Sequence, residues 1–147
     1  EIVNYVKFNY EKYDKIIICG TALKDNDYME HMEKFNWLKT KAGKNNAKIL
    51  GICAGAQIIA EIFGGKVIKG KEIGVIKIEI TEREGLPTDI KNTQAYALHN
   101  FSIELNNDFI VGARSKDCVQ AFRLKNKEIY GVLFHPEVMN KEIIWNF

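Results

Sequence analysis

The stretch from Lys48 to Ala60, Lys-Ile-Leu-Gly-Ile-Cys53-Ala-Gly-Ala-Gln-Ile-Ile-Ala, constrains this chain more than any other. An apolar run of strand length, Lys48 to Ile52, enters Gly51-x-Cys53-x-Gly55. A helical pattern follows at once from Gln57 to Phe63, and Gly64-Gly65 ends it. The same order stands upstream. Lys15 to Cys19 is a β-branched run that stops at Gly20, and Asp25-Asn26-Asp27 offers N-caps. Tyr28, Met32, Phe35 and Ala42 then fall on helical spacing before Gly43. Strand–helix–strand–helix at this spacing predicts an α/β protein built on a parallel sheet.

Beyond Lys66 the texture changes. Ile76, Ile78 and Ile80 alternate with Lys77, Glu79 and Thr81, as in a strand with one wet face. Gln94 to Leu98, Phe109 to Ala113, Val119 to Leu124 and Glu128 to Phe134 read as further strands, the last two joined by a hairpin at Lys125-Asn126-Lys127. A short helix starting near Asn140 docks through Ile143, Ile144 and Phe147. With 147 residues and no repeat or Pro/Gly/Ser linker, one domain spanning residues 1–147 is expected.

Composition removes several classes of function. A net charge of +2 is too small to imply a nucleic-acid or anionic-membrane surface. The longest apolar stretch, Ile49 to Ala56, is far short of the roughly 20 residues a membrane span needs. No export signal opens the sequence, so a cytoplasmic location is expected. Cys19, Cys53 and Cys118 are an odd number at wide spacing, as are His31, His99 and His135. Neither set offers a disulfide framework or metal-ligand spacing, and no metal or cofactor is expected.

One of the cysteines is placed to be a nucleophile. Strand, Gly-x-Cys-x-Gly and helix form the arrangement of a nucleophile elbow, with Cys53 where hydrolases carry Ser. Alone, the motif is as compatible with a small buried cysteine between packing glycines; the flanking strand and helix favour function. Cys53 would project from the sheet edge at a helix N-terminus, whose dipole favours negative charge on sulfur. The amide of Ala54 would point to where a substrate oxyanion develops. A second constellation, Phe134-His135-Pro136-Glu137, follows the strand that ends at Phe134. Pro136 disfavours the helical region for His135, and an extended path would put Glu137 on the same side as the imidazole. His135 would be general base to Cys53 and Glu137 would orient it.

The pair Gly51-Ile-Cys53-Ala-Gly55-Ala-Gln57 and Tyr130-Gly-Val-Leu-Phe-His135-Pro136-Glu137-Val138 resembles the class I, triad-type glutamine amidotransferase domains. The resemblance runs through Phe63-Gly64-Gly65 and Glu72-Ile73-Gly74 to Asn146-Phe147. It implies a flavodoxin-like three-layer α/β fold, with a mostly parallel central sheet and an antiparallel extension. It also implies hydrolysis of the glutamine side-chain amide through a γ-glutamyl thioester, with no cofactor. By this likeness Cys53 is the nucleophile, His135 the base and Glu137 its orienter, while the N–H groups of Gly20 and Ala54 make the oxyanion hole. Gln57, His99 and Phe101 match positions near the glutamine, with His99 and Phe101 on a pocket-lining loop.

The chain departs from the family pattern at three places. Cys19-Gly20-Thr21 replaces the usual Gly-Gly-Pro, and Ala54-Gly55-Ala56-Gln57 replaces Leu-Gly-His-Gln. Family domains also open with a strand and helix that would precede Glu1, and residues 1–8 look like their second strand. The third departure therefore predicts a domain lacking the family's first strand and helix.

The resemblance makes a separate ATP-using synthetase the expected partner and ammonia acceptor, since no phosphate-binding Gly-x-x-x-x-Gly-Lys-Ser/Thr loop occurs here. His-Pro-Glu-Val resembles the amidotransferase part of GMP synthase more than the anthranilate type, a difference of one residue that leaves the acceptor open. A stand-alone γ-glutamyl peptide hydrolase and a non-catalytic regulatory relative are the alternatives; the intact triad argues against the last. Cys19, Cys118 and His31 are read as packing or surface residues, and Tyr5, Phe8, Tyr10 and Tyr13 as packing aromatics.

Overall fold

The computed structural model describes residues 2, 8–23, 26–44 and 47–147. The apolar runs seen in the sequence assemble around one six-stranded sheet. In chain order the strands are β1 (Lys15–Ile18), β2 (Lys48–Ile52), β3 (Lys66–Lys77), β4 (Glu79–Ile80), β5 (Gln94–Glu104), β6 (Phe109–Arg114), β7 (Val119–Leu124) and β8 (Glu128–Val132). The helices are α1 (Trp37–Ala42), α2 (Ala54–Ile62), α3 (Pro136–Met139) and α4 (Glu142–Asn146). The main sheet has the order β1-β2-β8-β7-β6-β4, and β3 and β5 pair in a sheet of their own.

Strands β1, β2 and β8 run parallel, and β8-β7-β6-β4 continue antiparallel. This is the α/β fold with an antiparallel extension expected from the sequence; among the described residues the parallel part is half of the main sheet. Alternate residues of the central strands feed opposite faces. Ile49, Phe122 and Ile129 join a cluster with α1 and α2, while Leu50, Ala121 and Tyr130 join one with Phe134 and Ile143. A sheet covered on both faces explains why β2 and β8 read as nearly continuous apolar runs.

Several local expectations change. The helix predicted from Asp27 onward is a 3-10 stretch, Asp27–Phe35, kinked at His31, before α1. Its cap Asn26 makes no side-chain capping bond, whereas Gly43 does end α1, in a right-handed rather than left-handed conformation. β3 and β5 are longer than their alternating parts, because pairing with each other satisfies both backbones through Lys66 and Glu104. Phe8, Tyr10, Tyr13 and Trp37 cluster at the α1 end as packing aromatics, two pairs stacked and Phe8 edge-on to Trp37. The expected strand at residues 1–8 lies, except for Ile2 and Phe8, outside the described residues. Among the described residues no helix is long and apolar enough to cross a membrane.

Candidate active site

Register alone brings the two motifs together. Gly51 stands beside Gly131 and Ile52 beside Val132 in the parallel pair β2–β8. Cys53 is thus one residue past β2, and His135 three residues past the partner of Ile52, at the same sheet edge. The Cys53 N–H still bonds the Val132 carbonyl at 2.9 Å, which carries the sheet one step into the turn.

The turn itself is strained. Cys53 has φ 50° and ψ −108°, a conformation rare for a residue with a side chain. Its carbonyl accepts from Ala56 at 3.0 Å and Gln57 at 3.1 Å, so α2 starts immediately behind the thiol. Gly51 and Gly55 permit this. A Cβ on Gly51 would collide with the Gly55 backbone, and one on Gly55 with the Ile18 carbonyl. Ala54 is the first residue of α2, so its N–H has no intrahelical partner and remains at the turn.

His135 is extended, at φ −101° and ψ 92°, with Pro136 opening α3. The extended path predicted through Glu137 therefore ends two residues earlier, at His135. Glu137 reaches the ring from the first helical turn, where Pro136 at N1 is compatible with helix. Its Oε1 lies 2.7 Å from His135 Nδ1, which leaves Nε2 to face inward. That nitrogen is buried and has no hydrogen-bond partner among the described residues. The His135 pKa is pushed up to about 9, first by the Cys53 side chain, whose sulfur favours the charged ring; burial opposes it and Glu137 adds to it. Nδ1 thus belongs to the carboxylate and Nε2 stays available to take a proton, the division of labour a thiol–imidazole–carboxylate set requires.

Gly20 packs against both groups. A methyl there would sit 3.1 Å from Cys53 Cβ and 3.4 Å from His135 Cε1. β5 closes the other side. The Leu98 carbonyl is 3.8 Å from Cys53 Sγ, and the Tyr96 carbonyl accepts the His135 N–H at 2.8 Å.

The three residues matched to the substrate region are placed differently from one another. Gln57 is buried with both ends engaged: Oε1 accepts from the Tyr28 hydroxyl, and Nε2 donates to the Phe101 carbonyl at 2.9 Å. Phe101 is half-buried and contributes that carbonyl. The loop expected around His99 and Phe101 is instead the middle of β5, because β3 pairs along its whole length. The His99 side chain is 1% exposed and turned toward Glu72, 3.5 Å away. Burial chiefly lowers its pKa.

Two residues at the site had no local sequence signal. Tyr28 looked like a helical apolar position, yet its hydroxyl holds Gln57, and burial pushes its pKa well up. Asn100 donates from Nδ2 to the Leu23 carbonyl at 3.1 Å and ties the loop after Gly20 to β5. Cys19 is exposed; Cys118 is buried, with burial the main cause of its raised pKa.

The family model for glutamine amidotransferase class-I matches residues 1–143. A subunit of the glutamine-hydrolyzing GMP synthase of Picrophilus torridus is 40% identical over 134 residues, 88% of this chain and 70% of that protein. The protein of the same description from Thermoplasma volcanium is 36% identical over 93% of this chain and 63% of its own length. This chain therefore spans only about two thirds of such relatives. A crystal structure described as that of a GMP synthase subunit, from Thermoplasma acidophilum, superposes with TM-score 0.77 at 32% identity, covering 90% of this chain and 70% of that one. A glutamine amidotransferase from Thermotoga maritima shares the fold at TM-score 0.68 and 18% identity, over 95% of this chain and 68% of that one. By motif, register and family model together, the chain belongs to the class I glutamine amidotransferases.

Proposed function

We propose that this chain is the glutamine-hydrolysing part of a GMP synthase, releasing ammonia for a separate synthetase subunit in the cytoplasm. The observation that carries the reading is the convergence of Cys53, His135 and Gly20 at one sheet edge, with Glu137 on the far nitrogen of His135. Cys53 Sγ attacks the side-chain carbonyl carbon of glutamine. The carbonyl oxygen becomes an oxyanion that the N–H groups of Gly20 and Ala54 stabilise. His135 holds the thiol proton on Nε2 and passes it to the leaving nitrogen, so ammonia departs and a γ-glutamyl thioester remains. Water then gives a proton to His135 and attacks the thioester. Glutamate leaves, and the proton returns to sulfur. Glu137 keeps the ring in place and stabilises its charged form throughout.

The relatives described as subunits of a glutamine-hydrolysing GMP synthase support the synthetase as partner. The test is a steady-state assay of the full-length protein on glutamine and on γ-glutamyl dipeptides, with and without the GMP synthase synthetase subunit. Glutamine hydrolysis that rises when the synthetase is added is expected. Fast, partner-independent cleavage of γ-glutamyl peptides, with glutamine the poorer substrate, would replace this reading with a hydrolase.

A further inference from the structure

Three members of the site lean on one strand. The carbonyls of Tyr96, Leu98 and Phe101 on β5 meet the His135 N–H, the Cys53 thiol and the Gln57 amide respectively. Yet β5 is not part of the main sheet that carries Cys53 and His135; among the described residues it pairs with β3 alone. Apolar packing between two such sheets is non-directional and tolerates sliding. Placing β5 to a fraction of an ångström needs a directional contact.

A buried polar group supplies one on the face of the pair turned toward β7. At the irregularity between Lys69 and Glu72, two residues of β3 face one of β5, so Gly70 and Glu72 both reach His99. His99 Nδ1 donates to the Gly70 carbonyl at 3.0 Å, and Nε2 lies 3.5 Å from Glu72 Oε2. The same carboxylate oxygen accepts from Gln120 Nε2 of β7 at 2.6 Å, and that amide also lies 3.3 Å from Ser115 Oγ. Gln120 is fully buried. Gly70 is necessary here, since a Cβ would collide with Ser102 and sit 3.4 Å from Cys118 Sγ.

We infer that Glu72, the register partner of His99 in the β3–β5 pair and the acceptor of the Gln120 bond from β7, is a positioning residue for the thiol reaction: it ties the β3–β5 pair to the main sheet and so sets the three carbonyls against Cys53, His135 and Gln57. The reaction itself is the glutaminase activity proposed above. Glu72 touches no reacting atom; it acts through the backbone of β5. Because the tie is the hydrogen bond that Glu72 accepts from Gln120, Glu72→Gln preserves it. The amide oxygen still accepts from Gln120, and the amide N–H can donate to His99 Nε2, whose partner nitrogen already carries the hydrogen given to Gly70.

The experiment compares Glu72→Ala, Glu72→Gln and Gln120→Leu in the full-length protein with its synthetase present. It reads kcat and KM for glutamine, the rate of Cys53 alkylation by iodoacetamide, and the melting temperature. Glu72→Ala and Gln120→Leu are expected to lose about tenfold or more in kcat and to slow alkylation, the cost of a small misplacement. KM should stay within about threefold, and Glu72→Gln should recover most of kcat and alkylation, which a loss of general stability would not predict. Wild-type kcat and alkylation in a folded Glu72→Ala, or in Gln120→Leu should Glu72→Ala not fold, overturn the inference. So does a Glu72→Gln protein as impaired as Glu72→Ala. A wild type that alkylates at Cys53 but never hydrolyses glutamine counts against the proposed function instead, and the alkylation rates still decide the tie.

Discussion

Gly55, at the start of α2, lies flat against the Ile18 carbonyl at the end of β1, leaving no room for a side chain. That contact lets α2 approach the sheet closely enough to bring its N-terminus under Cys53. Gly55→Ala therefore meets backbone rather than a movable side chain. It should destabilise the protein by about 3 kcal/mol or more, beyond ordinary overpacking of a core. Urea unfolding of wild type and variant measures this; a loss under about 1 kcal/mol would show that the helix can shift without consequence.

A glutamine-mimicking alkylator should label Cys53 in preference to Cys19, although Cys19 is the exposed thiol and Cys53 is buried. Cys53→Ala should lower glutamine hydrolysis by about a thousandfold or more, as loss of a nucleophile does. Mass spectrometry of the labelled peptide decides between the thiols. Label on Cys19, with activity surviving in Cys53→Ala, would remove Cys53 from the chemistry.

The raised pKa of His135 sets a pH window. The ring is held charged in the folded protein up to about 9, against an ordinary value of 6.5. Its contribution to stability is therefore complete below about 6.5 and declines as pH rises through about 9. His135→Gln should flatten the fall in stability between those values, measured by denaturant titrations across the range. Hydrolysis should show an alkaline limb near the same upper pH, and Glu137→Gln should move that limb downward by removing a group that favours imidazolium. An alkaline limb that stays put in Glu137→Gln would mean that Glu137 only orients the ring.

Tyr28→Phe removes the hydroxyl that Gln57 Oε1 accepts, while the amide stays buried. An orphaned buried carbonyl costs about 1–3 kcal/mol, so a clear fall in thermal or urea stability is expected. Gln57→Leu in the same background should recover part of it by removing the orphan. If the double variant is no more stable than Tyr28→Phe, the hydrogen bond is not what Tyr28 contributes.

What the sequence determined by itself was local and steric. A β-branched run, two glycines around a cysteine and a helical pattern permit essentially one strand–turn–helix, and the extents of β2 and β7 follow from their apolar runs. Asn126 takes φ 59° in the hairpin its position announced. Proline after His135 likewise confines that residue to extended backbone, whatever surrounds it. The tertiary structure decided what depends on partners distant in the chain. Pairing with β3 turned the expected His99 loop into strand, and a bulge in β3 directed His99 to Glu72 rather than toward the thiol. Tyr28 found Gln57 across 29 residues, and Gln120 found Glu72 across 48. Backbone conformation is governed by neighbours a few bonds away and leaves a mark in composition and spacing; the side to which a buried polar group turns is governed by whichever donor or acceptor the fold brings to it.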